Sequence, residues 1–305
     1  MLKVAVIGEC MIEIYNKKKR LYKQTFAGDT FNCAVYLKRV LKKSLVEYIT
    51  VVGKDEKSLQ MLEFINQQKI ETSFVDKLQD KTVGLYMITT HEGERSFLYY
   101  RGSSAAKKLF LTDSLDKLKE ELLKFDMIYF SLITLAIMSE KGRENLFKIL
   151  KIARKKGVKV AFDSNYRPRL HDSIDSARKM YSEALKNCDV FLPSFDDEKE
   201  LWGDVTIDSI VKKARGFGTK ETVIKCGKED IAYSSGSEIE RIKTKQLETI
   251  VDSTSAGDSF NGAYLASRLK GKSIEESIKK AKKVAARVIM YKGAIIPKKK
   301  KKKNE

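Results

Sequence analysis

The sequence predicts an α/β fold, a three-layer α/β/α sandwich in which helices cover both faces of a mostly parallel sheet. From about residue 115 onward, short apolar runs alternate with longer amphipathic stretches, which is the pattern of parallel strands joined by helices. The chain has 305 residues, of which 42% are hydrophobic and three are proline, so it can bury one large core. We therefore expect a single domain over residues 1–297.

The first strand is expected in the opening residues MLKVAVIGEC, a short apolar run without the basic start and cleavage site of a signal peptide. Later strands are predicted at 127–131, 158–165, 189–193, 221–226 and 230–234. Helices are predicted at 139–156, 173–187, 206–216, 258–270 and 273–291. Right-handed crossovers between these strands would place the helices in two outer layers.

Two N-terminal segments, about 12–26 and 84–101, do not follow this pattern. The second contains two runs of strand-forming residues on either side of a Glu-Gly turn. Strands that belong to neither the parallel sheet nor its helices need another surface to cover. We expect them to form a small β lid over the active-site edge of the sheet.

The composition argues against several classes of protein. No run of about 18 apolar residues occurs, so no membrane span is expected. The four cysteines are far apart and include no CxxC pair, which indicates neither a zinc site nor a disulfide framework. A reduced, cytoplasmic protein is the simplest interpretation.

The formal net charge of +19 raises the possibility of a nucleic-acid partner. Six of the positive charges, however, are consecutive lysines at the C-terminal end, Lys298–Lys303, and the others alternate with Asp and Glu along helices. This distribution favours a solvated surface without nucleic-acid binding. The basic segment 298–305 is expected to be a disordered tail, because like charges repel and it has no apolar residue to bury.

The segment TIVDSTSAGDSF, residues 249–260, has the strongest functional signal. An apolar strand end is followed by a turn of small residues and then by a helix. The backbone N–H groups of Ser255, Ala256 and Gly257 are expected to be unpaired at the helix N-terminus, where a developing anionic phosphate is stabilised.

Asp258 lies in the first turn of the same predicted helix. A carboxylate is favoured there by the helix dipole, so we expect it to be ionised and close to the bound anion. It could accept the proton of a hydroxyl that attacks phosphorus, as a catalytic base. The alternative is that Asp258 is a helix cap and the small residues are a tight turn.

Residues Asp252–Asp258 resemble the C-terminal signature Asp-Thr-x-Gly-Ala-Gly-Asp of the ribokinase-like (PfkB) carbohydrate kinases. Ser255 replaces the first glycine of that signature, a departure shared by the 2-keto-3-deoxygluconate kinase branch. Five further segments are similar to that branch, at 6–14, 27–37, 97–105, 162–170 and 191–203. The resemblance implies a ribokinase-like fold, ATP and Mg²⁺, a small sugar acid as substrate, and a homo-oligomer that pairs through its lids.

The resemblance also implies sugar-binding residues. Gly28 and Asn32 lie in a turn that would contact the sugar at the start of a helix, although the neighbouring Asp29 and Thr30 could simply cap that helix. In the lid, Tyr99 and Arg101 alternate onto one face of a strand, with Tyr86 opposite. The planar guanidinium of Arg101 suits a carboxylate, which a sugar acid has and a neutral sugar lacks.

The resemblance assigns Asn165 and Arg167 to the sugar and phosphate region, with Arg167 among the residues that hold the sugar acid, and assigns Lys225 and Gly227 to the nucleotide side. Asn165 and Arg167 follow a parallel strand, where open α/β sheets bind ligands, although Arg167 could be a surface arginine before a proline. Lys225 and Gly227 match the nucleotide-side loop of the family, although a lone glycine after a strand often only makes a turn.

Asp197 matches the Glu of an Asn-x-x-Glu motif that organises Mg²⁺ through water, with Ser194 in place of the Asn. Mg²⁺ tolerates this exchange of carboxylates because it keeps several water ligands.

The predicted reaction is transfer of the ATP γ-phosphate to the terminal hydroxyl of 2-keto-3-deoxygluconate. One alternative is a fructokinase- or ribokinase-type enzyme that acts on a neutral sugar. A second is a non-catalytic protein that binds nucleic acid through its basic surface.

Overall fold

The computed structural model describes residues 1–18, 21–91, 94–227, 229–244 and 250–298. The strands within these residues are, in chain order, β1 (Lys3–Ile7), β2 (Met11–Lys18), β3 (Leu21–Ala27), β4 (Leu45–Ile49), β5 (Val51–Gly53), β6 (Asp76–Leu78), β7 (Leu85–His91), β8 (Glu94–Tyr100), β9 (Met127–Ser131), β10 (Lys159–Asp163), β11 (Val190–Phe191), β12 (Glu221–Ile224), β13 (Ile231–Ser234) and β14 (Glu240–Ile242). The α-helices are α1 (Asp29–Val40), α2 (Glu56–Gln67), α3 (Leu115–Leu122), α4 (Leu132–Ile137), α5 (Glu140–Lys155), α6 (Ile174–Lys186), α7 (Phe195–Trp202), α8 (Ile207–Gly216), α9 (Ala256–Leu269) and α10 (Ile274–Val288).

The central sheet has the strand order β14-β13-β12-β11-β10-β9-β1-β4. Its strands pair in parallel from β4 to β12, and β13 and β14 continue the sheet antiparallel. β13 follows β12 after a connection too short for a helical crossover, so it has to return antiparallel. The predicted α/β fold with a mostly parallel sheet is confirmed.

Successive residues of each central strand face opposite layers of helices. In β1, Val4 and Val6 belong to the core beneath α1, α2, α9 and α10, whereas Ala5 and Ile7 belong to the core beneath α3 to α8. Both faces of the strands are therefore buried. This explains why these strands are continuous apolar runs in the sequence instead of alternating ones.

The two N-terminal segments form a separate four-stranded sheet with the order β3-β2-β7-β8, which we call the lid sheet. Tyr86 on β7 lies directly opposite Tyr99 on β8, as the sequence predicts. The predicted Glu-Gly turn between these strands, residues 92 and 93, lies outside the described residues, and so does all of the predicted basic tail except Lys298. No helix among the described residues is long and apolar enough to cross a membrane.

Helices α1 and α9 approach each other closely because Gly262 has no side chain. A Cβ atom at Gly262 would lie 2.3 Å from the carbonyl oxygen of Cys33 on α1. A glycine is required wherever two backbones come this close. The contact fixes the distance between the first turns of the two helices, where polar residues collect.

Candidate active site

Polar residues collect where the parallel strands of the central sheet end. Ser131 and Asp163 are the last residues of β9 and β10, and Lys225 comes directly after β12. Glu9 follows β1 by two residues, just before the lid sheet begins. The carboxyl ends of parallel strands are where open α/β sheets bind their ligands, and the first turns of α1 and α9 face the same edge.

Asp258 lies in the first turn of α9 and is held by Asn32 of α1. The Asn32 amide Nδ2 donates a hydrogen bond to Asp258 Oδ2 over 2.9 Å. The residue that precedes α9 is Ser255, in the left-handed conformation at φ 63°, and no side chain caps the helix. Asp258 is therefore not the helix cap that was the alternative interpretation.

The turn before α9 differs in one respect from the sequence-based expectation. The N–H of Ala256 donates to the Ser253 carbonyl oxygen over 3.1 Å, so it closes the turn and is not free for an anion. The N–H of Gly257 has no acceptor within the described ranges. Lys225 Nζ lies 4.0 Å from the position that a Cβ of Gly257 would occupy. The positive site before α9 thus combines a free N–H with a nearby ammonium.

Burial, followed by the neighbouring charge of Asp29, raises the pKa of the Asp258 carboxyl to about 7. The hydrogen bond from Asn32 and the charge of Lys225 oppose this increase without cancelling it. The helix N-terminus was expected to favour the ionised carboxylate of Asp258, whereas its burial acts in the opposite direction and raises its pKa. Such a pKa suits a general base, because the group can both accept and release a proton near neutrality.

A closed polar network lies beneath Asp258. Lys225 Nζ lies 3.0 Å from Asp163 Oδ1 and donates to Asn261 Oδ1 over 3.1 Å. The Asn261 amide donates to Asp163 Oδ2 over 2.9 Å. Because Asp163 and Asn261 are buried, each needs these partners, and together they fix the position of the Lys225 ammonium.

Gly28 and Asn32 lie in the turn that opens α1. A Cβ at Gly28 would lie 2.1 Å from the carbonyl oxygen of Glu9, so this turn requires glycine. The residue at the start of α1, in the N-cap position, is Gly28, so Asp29 is not its cap. The Oδ2 atom of Asp29 accepts hydrogen bonds from Ser131 Oγ over 2.5 Å and from Asn165 Nδ2 over 3.1 Å. Burial raises the pKa of the Asp29 carboxyl. Asp29 thus joins the ends of β9 and β10 to the first turn of α1.

In the lid sheet, Tyr86 and Tyr99 are neighbours but differ in burial. Tyr86 is buried, and its hydroxyl donates to Glu13 Oε2 over 2.5 Å, so its polar end is already paired within the protein. Its ring contacts that of Tyr99 with centroids 5.7 Å apart. Tyr99 is 46% exposed, and the Arg101 guanidinium lies 5.8 Å from its ring centroid while pairing with Glu9.

Asn165, Arg167 and Asp197 follow β10 and β11, at the carboxyl edge of the central sheet. Asn165 has φ 21°, and the half-exposed Arg167 places Nη1 3.4 Å from Asp197 Oδ1. Ser194 caps α7 by accepting a hydrogen bond from the Asp197 N–H. Burial raises the pKa of the Asp197 carboxyl, and the charge of Arg167 opposes this.

Gly227 has φ 59°, which favours glycine, and a Cβ there would meet open space. Its place in the structure is therefore that of a turn after β12. No group of three or more metal-binding side chains occurs among the described residues.

Sequence reasoning did not assign functional positions to four polar residues of this site: Glu9, Asp29, Asp163 and Asn261. For Glu9 and Asp163, the sequence offered one signal, since each follows a short apolar run and so lies at the end of a predicted strand. Their partners come from segments far away in the chain, so the contacts could not be read from the sequence.

Comparison with known proteins gives consistent matches over nearly the whole chain. Residues 1–301 match the family model of the pfkB family carbohydrate kinases. The chain is similar to the 2-dehydro-3-deoxygluconokinases of Dickeya dadantii, 40% identical with 96% of each chain covered, and of Escherichia coli, 39% identical with 97% of each covered. A solved ribokinase II candidate from E. coli, in complex with ATP and Mg²⁺, has a similar fold, with a TM-score of 0.84, 21% identity, and 96% of this chain and 94% of that chain covered.

Proposed function

This chain belongs to the PfkB family of carbohydrate kinases, and we propose that it transfers the γ-phosphate of ATP to the terminal hydroxyl of 2-keto-3-deoxygluconate, also called 2-dehydro-3-deoxygluconate. The observation that carries the chemistry is Asp258, a carboxyl whose pKa is raised to about 7, beside the positive end of α9. The substrate is supported by the near-full-length similarity to two 2-dehydro-3-deoxygluconokinases.

In the proposed reaction Asp258 accepts the proton of the sugar hydroxyl as its oxygen attacks the γ-phosphorus. The bond from the sugar oxygen to phosphorus forms while the bond from phosphorus to the β,γ-bridging oxygen breaks, so the products are the 6-phosphate and ADP. The N–H of Gly257 and the ammonium of Lys225 lie where they can stabilise the negative charge on the transferred group.

The sugar acid would lie between the lid sheet and the first turn of α1. Arg101 and Arg167 would supply positive charge for its carboxylate, and the half-exposed ring of Tyr99, which is close to both, would supply an apolar surface. Gly28 and Asn32 would contact the sugar from the opposite side. A closed lid would keep water away from the γ-phosphate, which water would otherwise attack.

Mg²⁺ would enter with ATP and would be held by the carboxylate of Asp197, with Asn165, Lys225 and Gly227 on the nucleotide side. A single carboxylate is sufficient, because Mg²⁺ bound to a nucleotide takes its other ligands from phosphate and water. When bound, the ion would neutralise charge on the phosphates. Arg167 lies 3.4 Å from the Asp197 carboxylate. Arg167 and the hydrated ion would therefore share this carboxylate.

We further propose that the protein forms a homo-oligomer through the lid sheet. Leu21, Tyr22, Leu98 and Tyr100, all on the edge strands β3 and β8, are each more than half exposed. Both edges of this small sheet therefore expose large apolar side chains, and such exposed edges often mark an interface. Light scattering after gel filtration tests this proposal, and a monomer at micromolar concentration would contradict it.

Two further expectations concern the surroundings of the enzyme. Basic residues on the helices often pair with acidic ones one turn away, as in Lys272–Glu276, Lys279–Glu275 and Lys186–Glu183, which supports a solvated surface without nucleic-acid binding. The four cysteines are free thiols, which suits the reducing cytoplasm where ATP is also available.

A substrate comparison tests the function directly. We expect kcat/KM for 2-keto-3-deoxygluconate to exceed that for fructose and ribose by about 100-fold or more, because a neutral sugar has no carboxylate to offer the two arginines. A preference for a neutral sugar would contradict the proposed substrate. Salt-sensitive DNA binding without kinase activity on any sugar would contradict the proposed kinase activity.

A further inference from the structure

Glu9 is a buried carboxylate at the junction between the central sheet and the lid sheet. It is 3% exposed, and its Oε1 accepts a hydrogen bond from Ser104 Oγ over 2.5 Å. The carboxylate is closely packed, since a Cβ at Gly84 would lie 2.8 Å from Oε1, and the backbone is too, since a Cβ at Gly28 would lie 2.1 Å from the main-chain carbonyl oxygen of Glu9. The side chain of Glu9 is therefore held in one position.

Arg101 is the partner that Glu9 holds. The residue follows β8 of the lid sheet, and its Nη2 donates to Glu9 Oε2. Its Nε is buried and has no hydrogen-bond partner within the part of the chain that the structure describes. A buried donor without an acceptor costs about 1–3 kcal/mol, so this N–H is a place where a ligand oxygen would be stabilised.

We propose that Glu9 is a positioning residue, which fixes the guanidinium of Arg101 so that its Nε–H is offered to the carboxylate of the sugar acid. This inference rests on the proposed function, in which Arg101 recognises that carboxylate. Ser104 orients Glu9, and Glu9 in turn orients Arg101. Without Glu9, the contact of the guanidinium that remains among the described residues is with the Tyr99 ring, and the side chain can adopt several rotamers.

The test compares the sugar acid with its neutral amide on the full-length enzyme. In Glu9→Ala we expect KM for the acid to rise about 10- to 100-fold, the range for the loss of one well-oriented charged hydrogen bond. We expect KM for the amide to change less than about 3-fold, and kcat for the acid to change less than about 3-fold, because Asp258 is untouched.

Glu9→Gln keeps an acceptor of the same size, so it should raise KM for the acid less than Glu9→Ala does. Ser104→Ala removes the hydrogen bond that orients Glu9 and should shift KM in the same direction by a smaller factor. The matched control is Glu47→Ala, which also removes a buried carboxylate, one that accepts the N–H of Phe74 on another part of the sheet. Glu47→Ala should leave the ratio of the two KM values unchanged.

An equal rise of KM for acid and amide in Glu9→Ala, or no rise for either, would overturn the inference. If the alanine variant does not fold, as judged by circular dichroism, the ratio of KM values in Glu9→Gln and Ser104→Ala decides the question. Arg101→Leu separates the two proposals. If Arg101→Leu raises KM for the acid and for the amide by the same factor, Arg101 does not recognise the carboxylate. If Arg101→Leu raises KM for the acid selectively while the Glu9 variants do not, only the proposed role of Glu9 is wrong.

Discussion

Asn32 and Asp258 lie 226 positions apart in the sequence, yet the amide of Asn32 donates a 2.9 Å hydrogen bond to the Asp258 carboxylate. The bond joins the first turns of α1 and α9, the helix pair that meets at Gly262. The bond is made to Oδ2, so the Asn32 amide does not occupy the other carboxylate oxygen, Oδ1. The carboxyl that we assign as catalytic base is therefore oriented by one helix and carried by another.

Asp258→Asn should strongly reduce the rate of phosphoryl transfer and leave sugar affinity nearly unchanged. The amide can still accept the hydrogen bond of Asn32, but it cannot take a proton, so kcat should fall by about 10²- to 10⁴-fold. A coupled ADP assay measures kcat, and titration calorimetry measures the sugar affinity. A variant with more than a tenth of the normal kcat would remove Asp258 from its role.

The activity should depend on pH through Asp258. Because burial and Asp29 raise the pKa of Asp258 to about 7, kcat/KM should increase with pH and level off above that value. Asp29→Asn keeps a hydrogen-bonding side chain and removes the neighbouring charge, so the midpoint of this increase should move to lower pH. The pH profiles of both enzymes check this, and an unshifted midpoint would show that Asp29 does not act on Asp258.

Gly262→Ala should separate the helices that carry Asn32 and Asp258. The added methyl group would lie 2.3 Å from the Cys33 carbonyl oxygen, which belongs to a helix backbone and cannot turn aside. We expect a loss of about 1–3 kcal/mol in the free energy of unfolding and a lower kcat. Gly216→Ala at the end of α8 is the control, because its Cβ meets nothing within 4 Å. Equal unfolding midpoints in the two variants would contradict the prediction.

Lys225→Met should destabilise the fold through Asp163. The pair is buried, with side-chain exposures of 14% and 4%, so the remaining carboxylate would be left uncompensated, at a cost of about 3–5 kcal/mol. Adding Asp163→Asn should restore much of the stability, because the buried charge is then gone. Urea denaturation measures both variants. Lys272→Met, which breaks the exposed pair with Glu276, should cost less than about 1 kcal/mol.

Glu198 should make the stability depend on pH. Burial raises the pKa of its carboxyl in the folded state. Between the unfolded and the folded pKa, the folded protein therefore keeps a proton on Glu198 that the unfolded chain has already released. The free energy of unfolding should therefore decrease as pH rises from the unfolded value, about 4.3, through the higher folded value.

Glu198→Gln keeps the 2.6 Å bond from Tyr181, removes the charge, and should be more stable than the parent at pH 8 by about 1 kcal/mol or more. Denaturation at pH 5 and pH 8 tests this. Glu200→Gln, at an exposed position of the same helix, is the control.

Much of the fold followed from the order of apolar and polar residues. The strands β1, β9, β10 and β12 are short apolar runs because both of their faces are buried, and that pattern is local. The direction of β13 was not predicted, because it depends on the length of a connection and on which neighbouring edge is free. The ends of the five predicted helices lie within three residues of the observed ends of α5, α6, α8, α9 and α10, and caps such as Ser139, Ser173 and Ser273 lie beside them. No bounds were predicted for α1 to α4 or α7.

The sequence by itself determined the type of fold, the turn of small residues and the position of Asp258 in the first turn of the helix that follows, because each depends on residues that are neighbours in the chain. Only the tertiary structure decided how that carboxyl behaves. Its pKa depends on burial and on Asp29, and its orientation depends on Asn32, both from a helix more than 200 residues earlier. Charges interact through space, so their effect on a proton becomes known only when the distances between them are known.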